Sequence, residues 1–106
     1  MDNLEVAMGL IAGAGDSRSY CMEAIDCARD GDFDKAREAI DKAVTAMVET
    51  HDVQTQLIRD EMEGKSEAVS LLMVHAQDHV MTAMLAKDLA AEIVALHELI
   101  RKEQQL

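Results

Sequence analysis

No proline occurs anywhere in the 106 residues, and only two short stretches pair a helix stop with a helix start. A chain so rarely interrupted has few options other than long helices. The first stretch, Arg29-Asp30-Gly31-Asp32, offers a glycine for the left-handed position that ends one helix and an aspartate able to cap the next. The second, Glu63-Gly64-Lys65-Ser66, repeats the arrangement, with Ser66 as the cap and Glu67 in the first turn. This punctuation predicts three helices, near 3–29, 33–62 and 67–103, within a single domain spanning 1–106. Short connections make neighbours antiparallel, so the expected fold class is all-α, an up-down-up three-helix bundle. One Phe, one Tyr and no Trp, with Ala, Leu, Met, Glu, Lys and Gln abundant, are the vocabulary of helices rather than sheets.

Each predicted helix carries an apolar stripe at helical spacing. The stripes are Leu4, Ala7, Ile11, Ala14, Cys21, Ile25 and Ala28 on the first, and Ala36, Ile40, Ala43, Met47 and Ile58 on the second. On the third the stripe is Leu71, Leu89, Ile93, Leu96 and Ile100. That helix goes further, because Leu72, Met73, Val74, Val80, Met81, Met84 and Leu85 spread apolar surface almost all the way round it. Two partner helices cannot cover a full circumference, so the third helix is expected to pack against copies of itself in an oligomer.

The formal net charge of -11, with Lys and Arg scattered, argues against binding nucleic acid or anionic lipid. No stretch approaches the roughly 20 apolar residues of a membrane span, and MDNLEVAM lacks the basic start of a signal peptide, so a cytoplasmic location is expected. Cys21 and Cys27 point about 120° apart on one helix and cannot bridge each other. They read as small buried or half-buried thiols.

Folding the chain about residue 65 sets His75 level with Thr55, and folding again about residue 31 brings Ala7 and Met8 to that height. Polar and special residues gather there: His51, Gln54 and Thr55; Gly9, Gly13 and Gly15; and His75, Asp78, His79 and Thr82. The glycines each cost a helix about 1 kcal/mol against Ala, which close approach of another helix or a partner surface would offset. On the third helix, Asp78, His79 and Thr82 lie at i+3, i+4 and i+7 from His75, on one face. This face continues the line of Leu71, Leu89 and Ile93, so the polar group fills a gap in an apolar seam. A carboxylate in such a seam is expensive unless neutralised, and rotational symmetry would crowd its copies at the axis. With three copies, a hard divalent cation such as Mg²⁺ bound by Asp78 oxygens is the natural answer.

Other readings of the same residues stay open. His75 and His79 at i,i+4 have the spacing of zinc-hydrolase ligands, but Ala76 stands where such helices place the general base and no third ligand is obvious. A structural adaptor whose polar seam fixes oligomeric register is the other alternative. Arg18 falls in the first apolar stripe and reads as a snorkelling or ion-paired structural residue. His51 and His97 read as packing or surface residues, and the acidic runs Asp30–Asp34 and Asp60–Glu63 as solvated helix ends.

The segment VSLLMVHAQDHVMTAMLAKDLAAEIVALHE is similar to the third helix of lactose/cellobiose-type enzyme IIA proteins of the bacterial phosphoenolpyruvate-dependent sugar phosphotransferase system. GLIAGAGDSRS, GDFDKA and HDVQTQL extend the resemblance in order over nearly the whole chain. It implies a homotrimer of three-helix subunits in which His75 accepts a phosphoryl group from the carrier HPr and passes it to the cysteine of a IIB component. The subunit itself would stay out of the bilayer and serve a membrane IIC permease. By match of motif, Asp78 is the axial residue associated with a metal ion. VHAQDH resembles cellobiose and chitobiose members more than lactose ones, where glycine is common at the position of Ala76. Gln77, His79, Gln54 and Thr82 are candidate donors to the phosphoryl oxygens or orienters of the ring, Gln77 and His79 first. Gln77 points about 160° away from His75 on its own helix, so its help would go to the site of a neighbouring subunit.

Overall fold

The first predicted turn closes as expected. Gly31 has φ 84°, and the Asp32 carboxylate accepts a hydrogen bond from the backbone N–H of Lys35 at 3.1 Å. The guanidinium of Arg101 lies over this turn, and a Cβ at Gly31 would come within 2.9 Å of it. Gly64, φ 74°, turns the chain a second time. The computed structural model describes residues 3–105, so Met1, Asp2 and Leu106, at the ends of the expected 1–106 span, lie outside the described residues. Its three helices are α1 (Asn3–Arg29), α2 (Phe33–Met62) and α3 (Leu71–Gln104), with no strand among the described residues. They form a rod 60 × 20 × 19 Å in which α1 packs along both other helices, while α2 and α3 touch each other less.

The third helix starts four residues later than predicted. Ser70, not Ser66, is the cap, its hydroxyl accepting from the Met73 N–H at 3.1 Å. Residues 65–70 are exposed and non-helical. The capping pattern at Ser66 is real, but Glu67, Ala68 and Val69 are exposed and join no core cluster, and a first turn without tertiary support does not hold. At Leu71 the chain reaches Leu72 and Met73, which join the core.

The core is unusually small-grained. Ala7, Ala14, Ala24, Ala28, Ala36, Ala39, Ala43, Ala76, Ala83 and Ala90 are buried, with Leu10, Met47, Val80 and Val94 among them. Small side chains let the helix axes approach closely, and two devices use this. Gly13 makes room for Thr50, whose Cβ would lie 3.3 Å from an added Cβ. Ser17, fully buried, donates to the Ala43 carbonyl at 2.9 Å and so ties α1 to α2 without leaving a polar atom unpaired. Gly9 and Gly15 face open space, so the close approach expected of the three glycines occurs within the subunit only at Gly13.

The predicted stripes are corrected in part. Leu4 and Ile58 are exposed, and on α3 Leu71, Leu89, Leu96 and Ile100 are exposed too, Leu71 at 86%. The bundle-facing side of α3 is instead Met73, Ala76, Val80, Ala83, Ala90 and Val94. Periodicity weighted toward large side chains picked the outer of two apolar faces, because alanine marks the inner one only faintly. The outer face carries Val74, Met81, Leu85, Leu89, Leu96 and Leu99, all more than half exposed. It lies roughly opposite the buried face around the helix axis.

Candidate active site

His75 and Asp78 sit on the exposed side of α3, one helical turn apart, and His79 is half-buried beside them. The two imidazoles form a pair: His75 Nε2 and His79 Nε2 are 3.0 Å apart, with ring centroids 4.5 Å apart and planes at 88°. One nitrogen of that contact carries the proton and the other accepts it. Helical i,i+4 spacing brings the rings together, and the more buried His79 fixes the position of the more exposed His75. Thr82 is already engaged, its hydroxyl donating to the Asp78 carbonyl at 3.0 Å and the His79 carbonyl at 3.2 Å. It does not point at the histidine rings as a free donor.

Asp78 lies in the middle of the outward apolar face of α3, in line with Leu85, Leu89 and Leu96. The seam read from the sequence exists, but it faces away from the bundle. Around the helix axis His75 stands about 60° to one side of Asp78 and Gln77 about 100° to the other. The sequence therefore separates ring and amide onto opposite flanks.

Gln77 is held within its own subunit. Its Oε1 accepts from Nε2 of Gln54 at 2.8 Å, a contact between α2 and α3 at the level expected from folding about residue 65. Gln54 is the polar end of the buried α2 stripe, 6% exposed, and also donates toward Met81 Sδ at 3.5 Å. It orients an amide and does not reach toward a phosphoryl group from an open face. Arg18 is exposed, one position off the buried line through Ser17 and Cys21, which corrects its placement in the apolar stripe. His51 is exposed and His97 half-buried.

Cys21 is buried and Cys27 half-buried, both free. Burial pushes the Cys21 thiol up, against smaller opposing effects from Lys87 and Ser17, so it stays protonated and is no rival nucleophile. Lys87, half-buried, lies on the bundle-facing line of α3 between Ala83 and Ala90, a placement for which a charged residue gives no local signal in the sequence. Its side chain, 27% exposed, snorkels out to Asp88 at 3.5 Å.

The family model for the lactose/cellobiose-specific IIA subunit of the phosphotransferase system matches residues 5–98, which include every residue of this constellation. The chain belongs to that family. The chain is 48% identical over 98 residues to the N,N'-diacetylchitobiose-specific EIIA component of Escherichia coli (strain K12), covering 92% of this chain and 84% of that one. The cellobiose-specific enzyme IIA of Bacillus anthracis superposes with a TM-score of 0.91 at 39% identity, covering 96% of this chain and 94% of the other. The IIA(chitobiose) chain of an E. coli IIA–HPr complex superposes with a TM-score of 0.83 at 42% identity, covering 95% and 98%.

In this IIA subunit no helix is long and apolar enough to cross a membrane among the described residues. Nor do three His, Cys, Asp or Glu side chains among them converge on a point that could hold a metal ion. A zinc-hydrolase arrangement at His75 and His79 would lack its third ligand within one chain.

Proposed function

We propose that this IIA subunit carries a phosphoryl group on His75, taken from phospho-HPr and delivered to the cysteine of a cognate IIB component in the cytoplasm. The observation that carries the reading is the His75–His79 pair, an exposed imidazole steadied at 3.0 Å by a second, more buried one. The E. coli IIA(chitobiose) relative, solved bound to HPr, supports the partner. A chitobiose- or cellobiose-type sugar system is favoured by the relatives named above.

The chemistry is simple for a neutral imidazole. Its ring lone pair attacks phosphorus, a new N–P bond forms as the bond to the donor histidine breaks, and the attacking nitrogen has no proton to lose. His79 holds the acceptor ring before transfer, and once the attacking lone pair is committed to phosphorus that hydrogen bond is given up and the His79 N–H is free to donate to a phosphoryl oxygen. The labile N–P bond then favours onward transfer to a thiolate.

The outward face of α3 is the surface on which three copies assemble. A monomer rarely exposes so long an apolar stripe. With that stripe on a three-fold axis, Asp78 of each copy faces the axis. The flank bearing His75 on one subunit then meets the flank bearing Gln77 on the next, and Gln77 completes a neighbour's site. Asp78 alone supplies one carboxylate per chain, too few for a cation. Three copies would supply an oxygen set suited to Mg²⁺, whose charge would offset their mutual repulsion.

Incubation with phosphoenolpyruvate, enzyme I and HPr, followed by intact mass measurement, is expected to add one acid-labile phosphate per chain and none to His75→Ala. Phosphate gain by His75→Ala would refute the role of His75.

A further inference from the structure

The Gln54–Gln77 contact does more than join two helices. A carboxamide can be turned either way, presenting its oxygen or its NH₂, and only the NH₂ attracts a phosphoryl group, whose oxygens are all acceptors. Gln77 is only half-buried, so burial alone does not choose. The choice is made by Gln54, which is 6% exposed and donates through Nε2 to Gln77 Oε1 at 2.8 Å. Met81 Sδ, 3.5 Å from the same Nε2, can only accept and so favours this orientation of Gln54. On the far side the Gln77 NH₂ meets only Met73 Sδ at 3.7 Å, a weak acceptor, which leaves it free to donate elsewhere.

We propose that Gln54 is a positioning residue for phosphoryl transfer: by occupying the oxygen of Gln77, it presents the Gln77 NH₂ to the phosphoryl group at the next subunit's His75. The inference rests on the phosphocarrier reading and on the opposite flanks that His75 and Gln77 occupy around Asp78. Gln54 itself touches no reacting atom. Its effect passes entirely through Gln77, which makes the two residues strongly non-additive.

A double-mutant cycle on the full chain tests this, with rapid-quench measurement of transfer from phospho-HPr. Gln54→Met keeps the volume of a buried side chain and deletes the donor. It is expected to slow transfer about tenfold, as much as Gln77→Met does, with KM for HPr unchanged. The double variant is expected to be no slower than Gln77→Met alone. The inference is overturned if Gln54→Met transfers at the wild-type rate, if the two losses multiply, or if Gln77→Met itself is unimpaired while His75→Ala takes no phosphate. Failure of the wild type to accept phosphate would overturn the carrier reading and this inference together.

Discussion

At the scale of single residues, the three α1 glycines separate into two kinds. Gly13 is required by its neighbour, since any Cβ there meets the Thr50 hydroxyl, which is itself bonded back to the Ala46 carbonyl at 2.8 Å. Gly15 meets nothing within 4 Å, and the greater conformational freedom it loses on folding costs the helix stability. Gly13→Ala is therefore expected to destabilise the subunit by about 1–3 kcal/mol through overpacking. Gly15→Ala is expected to stabilise it by up to about 1 kcal/mol. Urea unfolding followed by circular dichroism measures both, and equal effects would show that the Thr50 contact is not what Gly13 serves. The site histidines were legible in the sequence because i,i+4 spacing is a local property. The Gln54–Gln77 bond was not, because two exposed-looking glutamines 23 positions apart give no local signal that they meet.

At the scale of helices, both turns could be read from Gly31 and Gly64, and α1 and α2 have the ends their punctuation predicts. The start of α3 could not, since Ser66 followed by Glu67 carries the stronger local signal and only packing selects Ser70. Ser70→Ala should cost about 1 kcal/mol of stability and fray the start of α3, close to His75. Ser66→Ala should cost almost nothing, and equal losses in thermal unfolding would return the helix start to Ser66. Which face of α3 turns inward was hidden for a different reason. Its inner contact is made by alanines and valines, whereas the leucines that dominate a periodicity analysis lie outside. The apolar surplus itself was visible, and the subunit leaves it uncovered.

At the scale of the whole molecule, the two flanks of α3 carry different polar groups. One flank of α3 offers His75 with His79 behind it, and the other offers the Gln77 amide backed by Gln54. An apolar line carrying Asp78 runs between them. In the proposed three-fold assembly along that line unlike flanks would meet, each completed site would belong to two chains, and a hard cation at the axis would offset the mutual repulsion of the three carboxylates. The most direct measurement is complementation: His75→Ala subunits mixed with Gln77→Met subunits, dissociated and reassembled, then assayed for transfer from phospho-HPr. Some mixed trimers pair an intact His75 from one chain with an intact Gln77 from the other. A fast phase at the wild-type rate, absent from either variant alone, is the expected result. Transfer in the mixture no faster than in Gln77→Met alone would contradict a site shared between subunits.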